Sequence, residues 1–179
     1  PIADSSLVPS FLMCQLASQK VTVALGGDGS DEILAGYDPF KALQPASLYS
    51  KIMPSIGHSL LSRIVNRLPV SHRNMSLDFK LKKTLDGLGF PAPLWNPVWL
   101  GCLNPSQLEQ VFGQKIDEAE LYSEAIEAWH ASAGENDIDR TIQFYVELYL
   151  QNGILTKMDR AGMLNSLEVR SPFLDKSFI

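Results

Sequence analysis

The sequence predicts a mainly α-helical chain that carries one short, buried parallel strand. The strand is read from VTVAL, Val21 to Leu25, which is β-branched, continuously apolar and closed by a glycine pair. The helices are read from apolar residues that recur at helical spacing from Tyr37 almost to the end. At 179 residues and 45% apolar content, the chain has the size of about one domain and enough apolar material for a core.

The elements follow in order. VPSFLMCQLAS, Val8 to Ser18, has helical spacing, with Pro9 in a first turn. After the strand, SDEILAGY predicts a helix whose first amides are capped by Ser30 or Asp28, and Gly36 is the expected stop. Leu60, Leu61, Ile64, Val65 and Leu68 form one apolar stripe, and Phe79, Leu81 and Leu85 suggest another. Gly87 to Pro105, with four prolines and two tryptophans, predicts a well-packed irregular connection. Helices resume at Asn104, as a cap before Pro105, and again over Asp117 to Ala133. A further helix from Asp137 aligns Ile138, Ile142, Tyr145, Val146 and Tyr149, and a last one covers Lys157 to Ser166 before a turn. An isolated strand leaves backbone groups unpaired, so association or partial disorder near the first residues is expected.

Composition removes several function classes. Fifteen basic against twenty acidic residues, net −5, give no electrostatic footprint for nucleic acid or an anionic membrane. No apolar run approaches the roughly 20 residues that span a bilayer, and the first residues lack the basic region of a signal peptide, so a cytoplasmic location is expected. Cys14 and Cys102 have no partner ligands nearby in sequence and read as packed or surface residues.

The chemistry concentrates in VALGGDGSDEILAGY, Val23 to Tyr37, with four glycines and three carboxylates. Glycines after a parallel strand let backbone N–H groups approach a phosphate, and a helix start adds positive potential. No Lys-Ser/Thr pair follows, so this is not a P-loop, and Glu32 stands where a dinucleotide fingerprint needs glycine. Asp28, Asp31 and Glu32 repel a bare polyphosphate, so a nucleotide here requires a hard cation such as Mg²⁺. The alternative is a capped turn whose carboxylates serve the helix dipole. Lys157, Asp159, Arg160, Glu168 and Arg170 form a second charged cluster, whose plain reading is a solvated, ion-paired surface. His58, His72 and His130 lack partner spacing, and KLKK, Lys80 to Lys83, reads as the wet face of a helix.

Two stretches together resemble the asparagine synthetase (glutamine-hydrolysing) family. VTVALGGDGSDEILAGYDPF is similar to its strand followed by Ser/Gly-Gly-Glu/Asp-Gly-x-Asp-Glu and a Gly-Tyr pair, and KMDRAGMLNSLEVRSPFLD to its later Asp-Arg, Glu-x-Arg and Pro-Phe-Leu-Asp segment. The stretch before the strand also matches, so the resemblance covers nearly all of residues 1–179. It implies part of an α/β nucleotide-binding domain of the adenine nucleotide alpha hydrolase-like, PP-loop ATPase type. It further implies an ATP-dependent ligase that adenylates a carboxylate, aspartate in the family, and releases AMP to ammonia derived from glutamine. Gly26 and Gly27 then contact ATP through the backbone, and Asp31 binds Mg²⁺. Asp28 takes the place of a catalytic Glu important for forming the acyl-adenylate, with one methylene fewer. Glu32, Asp159, Arg160, Glu168 and Arg170 fall to support or acceptor binding.

The family's pyrophosphate loop, Ser-Gly-Gly-x-Asp-Ser, and its glutaminase cysteine are not in these residues, and a family lysine lies beyond the Pro-Phe-Leu-Asp segment. With Pro1 first and Ile179 last, the expectation is a fragment of a longer protein, inactive alone, whose full-length form is a possible homodimer. A related amidotransferase acting on another carboxylate and a non-catalytic helical interaction module are the competing readings.

Overall fold

The computed structural model describes residues 4–71, 76–134 and 136–179; His72 lies outside them. The first elements are α1 (Leu7–Ser18), β1 (Val23–Leu25), α2 (Ser30–Ile33), α3 (Asp38–Ile52), α4 (Ser55–Asn66) and α5 (Leu77–Leu88). Then come α6 (Trp95–Leu100), α7 (Pro105–Phe112), α8 (Glu118–Leu121), α9 (Ser123–Ala131) and α10 (Asp137–Phe144). A π-helix (Tyr145–Leu155), α11 (Thr156–Met163) and β2 (Glu168–Arg170) complete the order. The chain divides into two compact units, residues 1–37 with 142–179 and residues 38–141.

In the first unit, Cys14 of α1, Met158 and Ala161 of α11, and Leu167 make a buried cluster. Leu7, Phe11, Ala17, Ala24 and Val169 pack on it. Strands β1 and β2 run parallel, pairing Val23 with Glu168, Ala24 with Val169 and Leu25 with Arg170. Two differences from expectation follow. A second strand is present where a helix end and turn were read, because Glu168 and Arg170 alternate with one apolar residue, and only Val169 faces the core. The first strand is not buried: Ala24 turns inward, whereas Val23 and Leu25, 41% and 74% exposed, lie on the face that α1 and α11 leave uncovered.

The second unit is helical. Leu43 and Ala46 of α3, Val65 of α4, Leu85 of α5, Trp95 and Val98 of α6, and Ala125, Ala128 and Trp129 of α9 are buried. The expected irregular connection instead holds a 3-10 turn (Ala92–Leu94) and α6, since its prolines stand at first turns, where a missing N–H costs no helical bond. Asn104 caps α7, as the sequence indicates, and Gln107 completes a capping box that was not expected. The α4 stripe is covered only in part: Val65 is buried, but Leu60, Ile64 and Leu68 are exposed. On α5, likewise, Leu85 is buried while Phe79 and Leu81 are exposed.

Candidate active site

The two motif segments meet in the first unit. At the end of β1 the Gly26 N–H donates to the Arg170 carbonyl at 2.8 Å, so it continues the sheet. The turn leaves the sheet at Gly27, whose α-carbon faces open space and whose N–H has no partner among the described residues. The Ser30 N–H and hydroxyl both donate to the Gly27 carbonyl, at 3.3 and 2.8 Å. Helix α2 therefore starts after Gly29 with no side-chain cap, in place of the expected Ser30 or Asp28 cap, and ends after four residues rather than at Gly36.

Gly29 locks the turn against the tail. Its φ is +91°, and a Cβ there would fall 2.2 Å from Leu174 Cδ2 of the Pro172–Leu174 turn. Both the left-handed backbone and the lost space penalise any side chain, so Gly29→Ala should lower stability by about 1–3 kcal/mol. Urea unfolding measures this, and an unshifted midpoint would contradict the packing.

Asp28 is half-buried and lines a cavity of about 190 Å³ with Leu155, Met158, Asp159, Glu168 and Ser171. Burial pushes its carboxyl above the usual aspartate range, while the Lys157 charge and its own backbone N–H pull it back. Lys157 is ion-paired, as the plain reading allows, but not solvated: its side chain is 12% exposed, pairs with Asp4 at 3.1 Å and donates to Ser6 Oγ at 2.7 Å. Arg160, exposed on α11, is not among the residues lining the cavity. Arg170 pairs with Glu168 at 2.8 Å, both being largely exposed, a contact worth under about 1 kcal/mol.

Asp31 is exposed and lies against Gly36, where a Cβ would come within 2.3 Å of its Oδ1, so the glycine clears room for the carboxylate. Among the described residues no three metal-ligating side chains gather. A lone carboxylate nonetheless fits Mg²⁺, which commonly takes one or two carboxylates and completes its shell with phosphate oxygens.

Glu32 differs from its neighbours. It is 1% exposed, and Tyr37 donates its hydroxyl to Glu32 Oε1 at 2.5 Å. The Tyr37 ring stacks on Tyr145 at 5.1 Å and meets Tyr149 edge-on at 5.9 Å. Burial first, and the Glu32 hydrogen bond second, hold the Tyr37 hydroxyl far above the ordinary tyrosine range. Sequence reasoning placed Tyr145 and Tyr149 on one helix side but gave them no part in the site; the signal was their spacing together with a tyrosine directly after Gly36.

The remaining candidates have ordinary partners. His58 bonds Tyr49 at 3.0 Å and Ser62 at 3.4 Å. Of KLKK, Lys80 pairs with Asp38 at 2.9 Å and Lys82 donates to the Leu68 carbonyl. Lys83 departs from the expected wet face: it is partly buried and donates to the Gly101 carbonyl, and burial lowers its pKa. No helix among the described residues is long and apolar enough to cross a membrane.

Comparison with known proteins adds the family. The sequence model of the family described as Asparagine synthase matches residues 1–179. The chain is 28% identical over 192 residues to "Asparagine synthetase [glutamine-hydrolyzing] 1" of Bacillus subtilis, covering 98% of this chain and 27% of that protein. It is 30% identical over 183 residues to a "Putative asparagine synthetase [glutamine-hydrolyzing]" of Mycobacterium bovis, covering 98% and 26%. With "Putative asparagine synthetase [glutamine-hydrolyzing] 2" of Methanocaldococcus jannaschii it shares 25% identity over 173 residues, 92% and 30% of the two chains. The chain thus spans about a quarter of the length of the first two relatives. No solved structure matches.

Proposed function

Because the chain belongs to the asparagine synthase family, we propose that it forms part of the synthetase domain of an ATP-dependent ligase that converts aspartate to asparagine. The observation that supports this reading most is the parallel pairing of β1 with β2, which brings Asp28 of the glycine turn and Glu168 and Val169 of β2 to one cavity. In the proposed reaction an oxygen of the aspartate side-chain carboxylate attacks the α-phosphorus of ATP, and the bond to pyrophosphate breaks. Ammonia from glutamine then attacks the acyl carbon of β-aspartyl-AMP, and AMP leaves with its oxygen.

The roles follow from placement. The free Gly27 N–H donates to the nucleotide, and Gly26 lets the backbone come close while its own N–H holds the sheet. Asp31 would hold Mg²⁺, which would neutralise charge at the phosphates. Asp28 accepts a proton from the attacking nitrogen, a task for which a carboxyl raised by burial is suited. Asp159 and Glu168 border the acceptor space, with Glu168 anchored by Arg170; Arg160 is left a supporting role. Residues 1–179 lack the pyrophosphate loop and are proposed to be inactive alone; a cytoplasmic full-length enzyme, able to form a homodimer, is part of the same proposal.

One feature favours a second reading. Asp28 is one methylene shorter than the family's Glu, which leaves room for a different carboxylate, such as a sugar acid or a peptide side chain. Conversion of ATP to AMP by the full-length protein, with aspartate against a panel of acids, decides between them. AMP formed with aspartate is expected; AMP with another acid alone overturns the aspartate assignment. Silence throughout, with no Mg²⁺-dependent ATP binding by calorimetry, leaves the interaction module.

A further inference from the structure

Glu32 has no part in the chemistry above, yet it is the most deeply buried carboxylate described. A buried carboxylate is costly unless it is hydrogen-bonded, and the Tyr37 hydroxyl donates to this one. That hydroxyl sits on a ring held by Tyr145 and Tyr149, which meet each other at 5.5 Å. Both belong to the π-helix, a rare conformation that recurs at functional sites.

The π-helix runs without interruption into α11. One continuous helical segment thus carries Tyr145 and Tyr149 and, further along, Leu155, Met158 and Asp159 of the Asp28 cavity. On the other side, Asp28 precedes α2 by two residues and Glu32 lies within α2. A four-residue helix without a side-chain cap has little stability of its own. Its position relative to the cavity wall needs a tie: the Glu32–Tyr37 bond fastens α2 to a ring on its own segment, and that ring packs on Tyr145 and Tyr149 of the other side.

We infer that Glu32 is a positioning residue: through the Tyr37 hydroxyl and the Tyr145–Tyr149 pair it fixes α2 against the helix that walls the cavity, and so sets the reach of Asp28 toward the acceptor. This rests on the role proposed above for Asp28. Glu32 touches neither ATP nor acceptor and acts through Asp28 alone.

The test uses the full-length protein, with ATP, Mg²⁺ and aspartate, or the acid that proves active in the panel. Glu32→Ala and Tyr37→Phe are expected to lower kcat for AMP formation per folded molecule at least tenfold, with KM for ATP within about twofold of the parent. Glu32→Gln keeps an oxygen for the Tyr37 hydroxyl and is expected to retain kcat within about threefold. Parental kcat in the alanine and phenylalanine variants overturns the inference. So does a loss that vanishes once rates are normalised to folded protein, or a glutamine variant as impaired as alanine. An inactive parent overturns the proposed function and this inference with it, whereas an active parent with active variants overturns the inference alone.

Discussion

Asp28→Asn in the full-length protein should lower acceptor-dependent AMP formation by about 10²- to 10⁴-fold, the usual contribution of one proton-transfer group. The substitution preserves size and removes only the charge and the proton site, so the loss belongs to chemistry rather than packing. Stability should move the other way. Burial raises the Asp28 pKa in the folded chain, so the folded state holds a proton that the unfolded state has released. The penalty is absent below the ordinary aspartate pKa, grows as pH rises through the raised one, and is complete at neutral pH. The asparagine variant should therefore unfold at an equal or higher temperature at pH 7, and the two proteins should converge in acid. The parent's acid limb in kcat should lie above the ordinary aspartate range. An active asparagine variant, or one less stable at neutral pH, contradicts the assignment.

Trp95→Ala should destabilise the second unit by about 3–5 kcal/mol, the cost of truncating a buried tryptophan. Trp95 is 2% exposed, donates its Nε1–H to the Phe90 carbonyl at 2.9 Å and stacks on Trp99 at 5.9 Å. Alanine leaves a cavity and an unpaired carbonyl. The chain's three tryptophans, 95, 99 and 129, all lie in this unit, so fluorescence-monitored urea unfolding still reports it when one is removed. A loss below about 1 kcal/mol would place Trp95 outside the core.

Local rules recovered the elements whose signal is local. The α7 cap follows from Asn104 before Pro105, and β1 follows from an apolar run ended by glycines. Burial needs partners distant in sequence, and there the reading failed. VTVAL looks buried on both faces because all but Thr22 are apolar, but one partner strand and one layer of helices cover only Ala24. Strand β2 was hidden because Glu168 and Arg170 read as surface charges whether the backbone is extended or turning. At the site, the carboxylates were legible as a group and their division of labour was not. Asp28, Asp31 and Glu32 share one charge in the sequence, yet one borders a cavity, one is exposed and one is sealed beneath tyrosines. Only the fold brings Tyr145 and Tyr149 to Tyr37. Nothing in YVELYLQNGIL announces a π-helix.

The parallel register has a kinetic consequence. Val23 meets Glu168 only after about 145 intervening residues have been made, and most of those form the other unit. Closing so long a loop is an entropic cost met before the strand contacts repay it, which places this pairing among the slow steps of folding. During synthesis the glycine turn leaves the ribosome early and waits for Leu174 and Arg170, while residues 38–141 have their own core to form meanwhile. The glycine turn is thus completed only after the second unit can form, and a chain stalled before residue 168 would carry a structured second unit and no β1–β2 pair.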